Sequence, residues 1–291
     1  MICTFYKIII GTAIVGITTG IIGCFTLMNK QSLLGDTIAH ATLPGLTGMF
    51  LLILQKSYIL LLSGAATTGL LGAFCVHYIT ENTKLKKDAA LGIVLSTFFG
   101  IGILFLTMIQ KIPTAHQAGI DKFLFGQAAT LLQSDIITLL ILSFFIICTV
   151  IICWKELIIT SFDPIYAQTI GLPVQKIQGL LIFLIVLTVI IGMQTVGLIL
   201  MSSFLIAPAA AARQWTSKFI SMIFLSILFS LLATTTGTII SYSYPHIATG
   251  PTIVILATTI TLFSIIFSPS GILITKIKRH YKFSNTKAKN L

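Results

Sequence analysis

The stretch SDIITLLILSFFIICTVIIC occupies residues 134–153, and its last 18 residues carry no charged side chain. A helix needs about 20 apolar residues to cross the hydrocarbon core of a bilayer. Similar runs fill most of the chain on both sides, so the sequence predicts an all-α, polytopic transmembrane bundle of about nine spans, within a range of eight to ten. The predicted spans are approximately 6–28, 38–55, 57–79, 89–110, 134–153, 177–194, 196–212, 219–240 and 251–268.

The composition agrees with a membrane protein. Of the 291 residues, 56% are hydrophobic and 9% are charged, which is too little charge to cover a water-soluble domain. The net charge of +11 comes from lysines and arginines that lie mostly between apolar runs, so it indicates membrane topology and not nucleic-acid binding. Residues 1–275 are predicted to form one transmembrane permease domain, and residues 276–291 a basic cytoplasmic tail near anionic lipid headgroups.

The distribution of positive charge predicts the orientation. If the N-terminus lies outside, 14 of the 18 lysines and arginines fall in the inner connections and the tail. Cytoplasmic loops carry such an excess, so the prediction is N-terminus out and C-terminus in. The four cations on the outer side are Lys7, Lys56, Lys111 and Lys122.

The stretch GDTIAHATLPG (residues 35–45) lies between the first predicted span and the second. On a helix, Asp36 and His40 are four residues apart and share one face, so both side chains can reach one ion. A carboxylate oxygen with an imidazole nitrogen suits zinc, manganese and iron(II). The alternative is structural, with Asp36 capping the second span and His40 forming a hydrogen bond inside the bundle.

Two prolines within short predicted spans indicate helix breaks. Pro44 has no N–H to bond the carbonyl of His40, and Pro208 lies in the small-residue stretch SSFLIAPAAAAR (202–213). Interrupted helices at membrane depth are where transporters place substrate sites. Pro44 and Pro208 are therefore predicted to lie on a transport pathway, with simple tight packing as the alternative for the second.

The inner connection SFDPIYAQTIGLP (161–173) has the signals of a short capped helix. Asp163 is the predicted N-cap, Pro164 takes the first helical position, and Gly171 ends the helix about two turns later, with Ala167 between them. A capped helix in a chain with little other extramembrane structure suits docking on a partner. The alternative is an ordinary helical linker.

Four ordered segments together resemble the permease subunits of bacterial zinc, manganese and iron ABC importers. They are GDTIAHATLPG (35–45), GIDKFLFGQAATLL (119–132), SFDPIYAQTIGLP (161–173) and VGLILMSSFLIAPAAAAR (196–213). The resemblance implies the fold of the vitamin B12 and siderophore importer permeases, in a multi-pass protein of the bacterial inner membrane. It also implies half of a permease dimer, either homodimeric or heterodimeric.

The resemblance further implies two partners and two kinds of site. A cytoplasmic ATP-binding subunit would hydrolyse ATP, and an extracytoplasmic solute-binding protein would deliver the metal. Asp36 and His40 match the family's metal contacts, and residues 161–173 match its ATPase-coupling helix. The metal is transported cargo, no permanent cofactor is expected, and the chain itself is expected not to be an enzyme.

Other readings of the chain are weaker. No H-E-x-x-H motif supports a membrane metalloprotease, and no P-loop is present, so any ATP hydrolysis requires a partner. A secondary transporter and an ABC permease for a metal chelate remain as alternatives. His116 and His246 are predicted to be ordinary loop histidines, although the resembled family commonly has an aspartate near position 246. His77 is predicted to be packed or snorkelling, and Asp135 to be solvated or paired with lysine at a span end.

Overall fold

A computed structural model describes residues 2–29, 31–53, 58–111, 126, 133–244, 247–269 and 271. His116, His246, the tail from 276 to 291 and all of the 119–132 motif except Gly126 lie outside these residues. Within them, all regular secondary structure is helical. The helices are α1 (Ile2–Met28), α2 (Ser32–Ile53), α3 (Tyr58–Asn82), α4 (Lys87–Gln110), α5 (Gln133–Ile152), α6 (Trp154–Phe162), α7 (Pro164–Thr169), α8 (Val174–Thr195), α9 (Leu198–Trp215), α10 (Phe219–Ser243) and α11 (Thr249–Phe267).

Nine of these helices are long, and they follow the nine predicted spans in order. In the described part of the chain, eight are long and apolar enough to cross a membrane. The ninth, α2, contains Asp36 and His40 and is the one that does not meet the apolar criterion. It begins at Ser32, before the predicted start at 38, so residues 35–37 also belong to the helix and the whole 35–45 motif lies inside it.

Helix α2 lies in the interior of the bundle. It packs against α3, α4, α8 and α9, while α1 packs against α9 and α10, and α11 packs against α9 and α10. A helix enclosed by other helices can carry polar side chains that a lipid-facing helix cannot. This position explains how a helix that contains Asp36 and His40 remains in the bundle.

Glycines allow α2 and α3 to approach closely. A Cβ atom added to Gly45 would overlap the carbonyl oxygen of Gly64, so the two backbones touch at this point. The same contact recurs between α1 and α9, where a Cβ on Gly23 would overlap the carbonyl oxygen of Leu205. Small residues permit such contacts in membrane bundles, where dispersion attraction drives helix association.

The predicted helix breaks at Pro44 and Pro208 are wrong. Helix α2 runs without interruption from Ser32 to Ile53 and helix α9 from Leu198 to Trp215, each with its proline inside. Both prolines are buried, and packing on several sides holds these turns helical although each proline removes one backbone donor.

An aromatic cluster joins three helices at one end of the bundle. Phe25 of α1 packs edge-on against Trp154 of α6 and Phe219 of α10, with ring centroids 5.9 and 5.0 Å apart. Phe162, the last residue of α6, meets the ring of Phe219 at 5.5 Å. The distribution of lysine predicts that this end faces the cytoplasm.

The opposite end contains a buried carboxylate. Asp135, in the first turn of α5, is 4% exposed and accepts a hydrogen bond from Nε2 of Gln194 in α8 at 3.0 Å. Nearby, Nζ of Lys7 donates to Oε1 of Gln133 at 3.1 Å. Of the two predictions for Asp135, solvation is therefore wrong, because packing between α5 and α8 removes it from water, and pairing with a lysine stays a prediction.

Candidate metal pathway

Helix α2 brings Asp36 and His40 together as the sequence predicts. Nε2 of His40 lies 3.5 Å from Oδ1 of Asp36, one helical turn away. The His40 side chain is 15% exposed and that of Asp36 is 36% exposed. The imidazole is thus largely enclosed, while the carboxylate is reachable from outside the chain.

Helix α4 fixes one side of the imidazole ring. The ring of Phe99 meets His40 edge-on, with centroids 4.8 Å apart and planes at 76°. Nδ1 of His40 is buried and has no hydrogen-bond partner among the described residues. The ring is therefore positioned by packing against Phe99 and by its contact with Asp36.

The pair lies on a face of α2 that the rest of the chain covers only partly. The neighbouring residues Thr37, Ile38 and Ala39 are buried, whereas Leu33, on the same face as Asp36, is 53% exposed. The described residues contain no group of three or more His, Cys, Asp or Glu side chains able to hold a metal. The Asp36–His40 pair thus offers one oxygen and one nitrogen donor, about half of what a four-ligand metal site would require.

The predicted capped helix in the inner connection is present as α7. The Asp163 carboxylate accepts a hydrogen bond from the backbone N–H of Tyr166 at 2.9 Å, and Pro164 is the first helical residue. Gly171 has a φ of 81°, which lets its N–H bond the Gln168 carbonyl at 3.0 Å and close the helix. The local geometry around 163–171 is confirmed, and its docking role stays a prediction.

The exposed face of this segment is apolar. Ile165 is 75% exposed, Tyr166 55% and Ile170 48%, while Ala167 is fully buried. Ala167 therefore lies on the buried side of α7, and its side chain does not contribute to an exposed docking face. The exposed residues were missed, although large apolar side chains in a cytoplasmic connection are a signal for a contact surface.

The inner segment is attached to the end of α1. Nδ2 of Asn29 donates to Oγ of Ser161 at 2.7 Å, and Oγ of Ser161 donates to the Leu157 carbonyl at 2.5 Å. Together with the aromatic cluster, these bonds fix α6 against α1 and α10. Helix α7 is thus connected to the long helices through α6 on one side and through the Gly171–Pro173 connection to α8 on the other.

Residues 1–268 match the ABC 3 transport family. The chain belongs to this family. The match confirms the prediction of an ABC-transporter permease, and with it the all-helical bundle and the multi-pass location in a bacterial inner membrane.

Two similar proteins have names that include a metal. The manganese transport system membrane protein MntC of Bacillus subtilis (strain 168) is 44% identical over 272 residues, which is 94% of this chain and 62% of MntC. The chain thus spans less than two thirds of that relative. The zinc transport system membrane protein TroC of Treponema pallidum (strain Nichols) is 40% identical over 281 residues, or 97% of this chain and 94% of TroC.

Two solved structures share the fold. PsaBC from Streptococcus pneumoniae, solved in complex with Fab, contains a chain with 34% identity and a TM-score of 0.82, covering 96% of this chain and all of that one. A transporter assigned to the metal-chelate ABC type, in an inward-facing conformation, aligns with a TM-score of 0.68 over 89% of this chain and 85% of its own. At 16% sequence identity, this similarity is evidence for a shared fold only.

Proposed function

We propose that this chain is the conduit of an ATP-driven importer that moves manganese or zinc into the cytoplasm, with Asp36 and His40 as contacts for the ion. The observation that carries the proposal is the Asp36–His40 pair, whose Oδ1 and Nε2 atoms lie 3.5 Å apart on the interior helix α2. Ionisable residues in such a position mark ion pathways. Iron stays a sequence-based prediction, because the relatives described above name manganese and zinc.

A second copy of the permease would complete the site. The partly open face of α2 leaves Asp36 accessible, so two copies meeting there would offer two carboxylates and two imidazoles. That set matches the oxygen and nitrogen donors that borderline divalent metals prefer. A closely related permease in place of the second copy would serve equally.

Two further partners follow from the proposal. A cytoplasmic ATP-binding subunit would dock on the apolar face of α7, formed by Ile165, Tyr166 and Ile170. An extracytoplasmic solute-binding protein would deliver the metal at the opposite end of the bundle. ATP binding and hydrolysis would then alternate access to the site between two permease copies.

Metal uptake by the reconstituted three-component importer tests the substrate. Asp36→Asn and His40→Ala are each expected to abolish uptake of ⁵⁴Mn²⁺ or ⁶⁵Zn²⁺ while the permease remains in the membrane. Asp88→Asn, which removes an exposed carboxylate in the first turn of α4, is the matched control and should transport normally. Uptake by both site variants at the wild-type rate would refute the role of the pair.

Co-purification with the ATP-binding subunit tests the docking surface. Ile165→Ser combined with Ile170→Ser should weaken association, because it removes two exposed apolar side chains. Gly171→Pro should abolish it, since proline cannot adopt a φ of 81°. Gly171→Asn is the control, because asparagine tolerates this conformation. Full association of the Gly171→Pro variant, or ion uptake that needs no ATP-binding subunit, would favour a secondary transporter.

A further inference from the structure

A cavity of about 330 Å³ opens at the end of the bundle predicted to face the cytoplasm. It lies where the connection between α1 and α2, the end of α3 and the starts of α4 and α8 meet. Its polar lining is separate from the Asp36–His40 pair and has no role in the proposal above. The main polar side chains that line it are those of Gln31, His77, Glu81, Lys87, Gln175 and Gln178.

His77 and Glu81 provide the metal-ligand chemistry of this cavity. They are four residues apart on α3, the same spacing as Asp36 and His40 on α2, so they share one helix face. Both are exposed and line the cavity, so His77 is not packed as one of its two predictions had it, and the snorkelling alternative stays a prediction. An imidazole nitrogen and a carboxylate oxygen again form the donor set of a borderline divalent metal.

Gln31 is an independent sign that the cavity binds a ligand. Its side chain is 6% exposed, and its Oε1 has no hydrogen-bond partner among the described residues. A buried carbonyl oxygen without a partner costs free energy that a bound cation or its water would recover. Gln31 lies five residues before Asp36, which corresponds to roughly 7–8 Å along a helix axis.

We propose that this cavity is an inner divalent-metal site, held by Gln31, His77 and Glu81, through which the ion leaves Asp36 and His40 for the cytoplasm. The transport direction in this statement rests on the proposed function, whereas the binding site itself does not. The positive charge of Lys87 opposes a cation in the same cavity, which keeps binding weak. Weak binding suits an exit position, because the ion must leave it during each cycle.

The position of the cavity links it to the docking helix. Gln175 and Gln178 lie in the first turns of α8, directly after the Gly171–Pro173 connection from α7. A displacement of α7 by a docked subunit would therefore move one wall of the cavity relative to His77 and Glu81 on α3. Release of the ion at this position would then depend on the state of the ATP-binding subunit.

Manganese electron paramagnetic resonance tests the site. The full chain, purified with its ATP-binding subunit and without a polyhistidine tag, is placed in nanodiscs of uncharged phosphatidylcholine, and Mn²⁺ alone is the probe. In the Asp36→Asn, His40→Ala background, we expect one Mn²⁺ per chain with nitrogen modulation in the spin echo. Adding His77→Ala should remove this modulation and weaken binding about 10-fold or more, since even outer-shell changes cost 10- to 100-fold.

Two further variants refine the test. Glu81→Gln should weaken Mn²⁺ binding to a similar degree yet keep the nitrogen modulation, because His77 remains. Asn82→Ala, an exposed neighbour outside the cavity lining, should change neither. Nitrogen modulation that survives His77→Ala, or loss of all bound Mn²⁺ in the Asp36→Asn, His40→Ala background, would overturn this inference and leave the proposed function standing. If the Asp36→Asn, His40→Ala protein bound as many Mn²⁺ ions per chain as wild type, Asp36 and His40 would bind no ion, and the proposed function would be contradicted instead.

Discussion

Replacing Gly45 with alanine should push α2 away from α3. The new Cβ would lie 2.5 Å from the carbonyl carbon of Gly64, where ordinary van der Waals contact begins at 3.4 Å. The carbonyl oxygen of Gly64 is nearer still, so the helices must separate by more than about 0.9 Å at this point, and a gap of 0.5–1 Å already forfeits about a quarter to a half of the dispersion energy of the atoms involved. Overpacking of this kind costs about 1–3 kcal/mol.

The same change should impair transport, because α2 carries Asp36 and His40. We expect Gly45→Ala to lower the apparent unfolding temperature of the purified permease and to reduce metal uptake at equal protein level. Gly100→Ala is the matched control: its added Cβ meets no atom within 4 Å in this chain. On an exposed helix position it should be neutral or stabilise by up to about 1 kcal/mol.

The assay is thermal unfolding in nanodiscs, followed by the loss of monodisperse protein on size-exclusion chromatography, for wild type and both variants in parallel. If the Gly45→Ala protein were as stable as wild type, the α2 and α3 backbones would not touch at Gly45 and Gly64. Equal destabilisation by Gly45→Ala and Gly100→Ala would show that loss of glycine, and not backbone contact, determines the effect.

Three further changes test other contacts. Phe99→Leu removes the edge-on ring contact with His40, which is worth about 0.5–1.5 kcal/mol. The metal concentration for half-maximal uptake should therefore rise while expression is unchanged. The same half-maximal concentration in Phe99→Leu and wild type would contradict a positioning role for Phe99. Asp135→Leu should destabilise the chain by about 1–3 kcal/mol by leaving the Gln194 amide without its acceptor, whereas Asp135→Asn should be milder, as measured by thermal unfolding. Asn29→Ala removes the bond to α6 and should reduce metal-stimulated ATP hydrolysis by the complete importer without preventing its assembly; wild-type stimulation would show that this bond does not transmit force.

The features predicted correctly from the sequence depend on neighbours along the chain. Asp36 and His40 meet because helical periodicity brings residues four apart to one face, and Asp163 caps α7 because an aspartate before a proline satisfies the first free backbone donors. The number and order of the long helices follow from apolar runs, which are equally local.

The features that were missed depend on which helices touch. Asp135 looks like a solvated residue at a span end until α8 brings Gln194 over it. Pro44 looks like a helix break until packing against neighbouring helices holds the turn. His77 carries no signal of its own, since only the meeting of α3 with the α1–α2 connection places it in the same cavity as Gln31. Burial and contact across the bundle depend on side chains that are far apart in sequence. Local patterns of charge and apolar residues do not show which of those side chains will meet.

The interior position of α2 also has a consequence for biogenesis. During synthesis, α2 leaves the ribosome before α3 and α4 exist, and an aspartate within a segment opposes its release from the translocon into lipid, by up to about 3 kcal/mol at the centre and less near an end. Helix α2 is thus expected to wait beside the translocon until its neighbours emerge and to enter the bilayer together with them. The polar residues suited to a metal ion would in this way make membrane insertion of the first third of the chain a cooperative event.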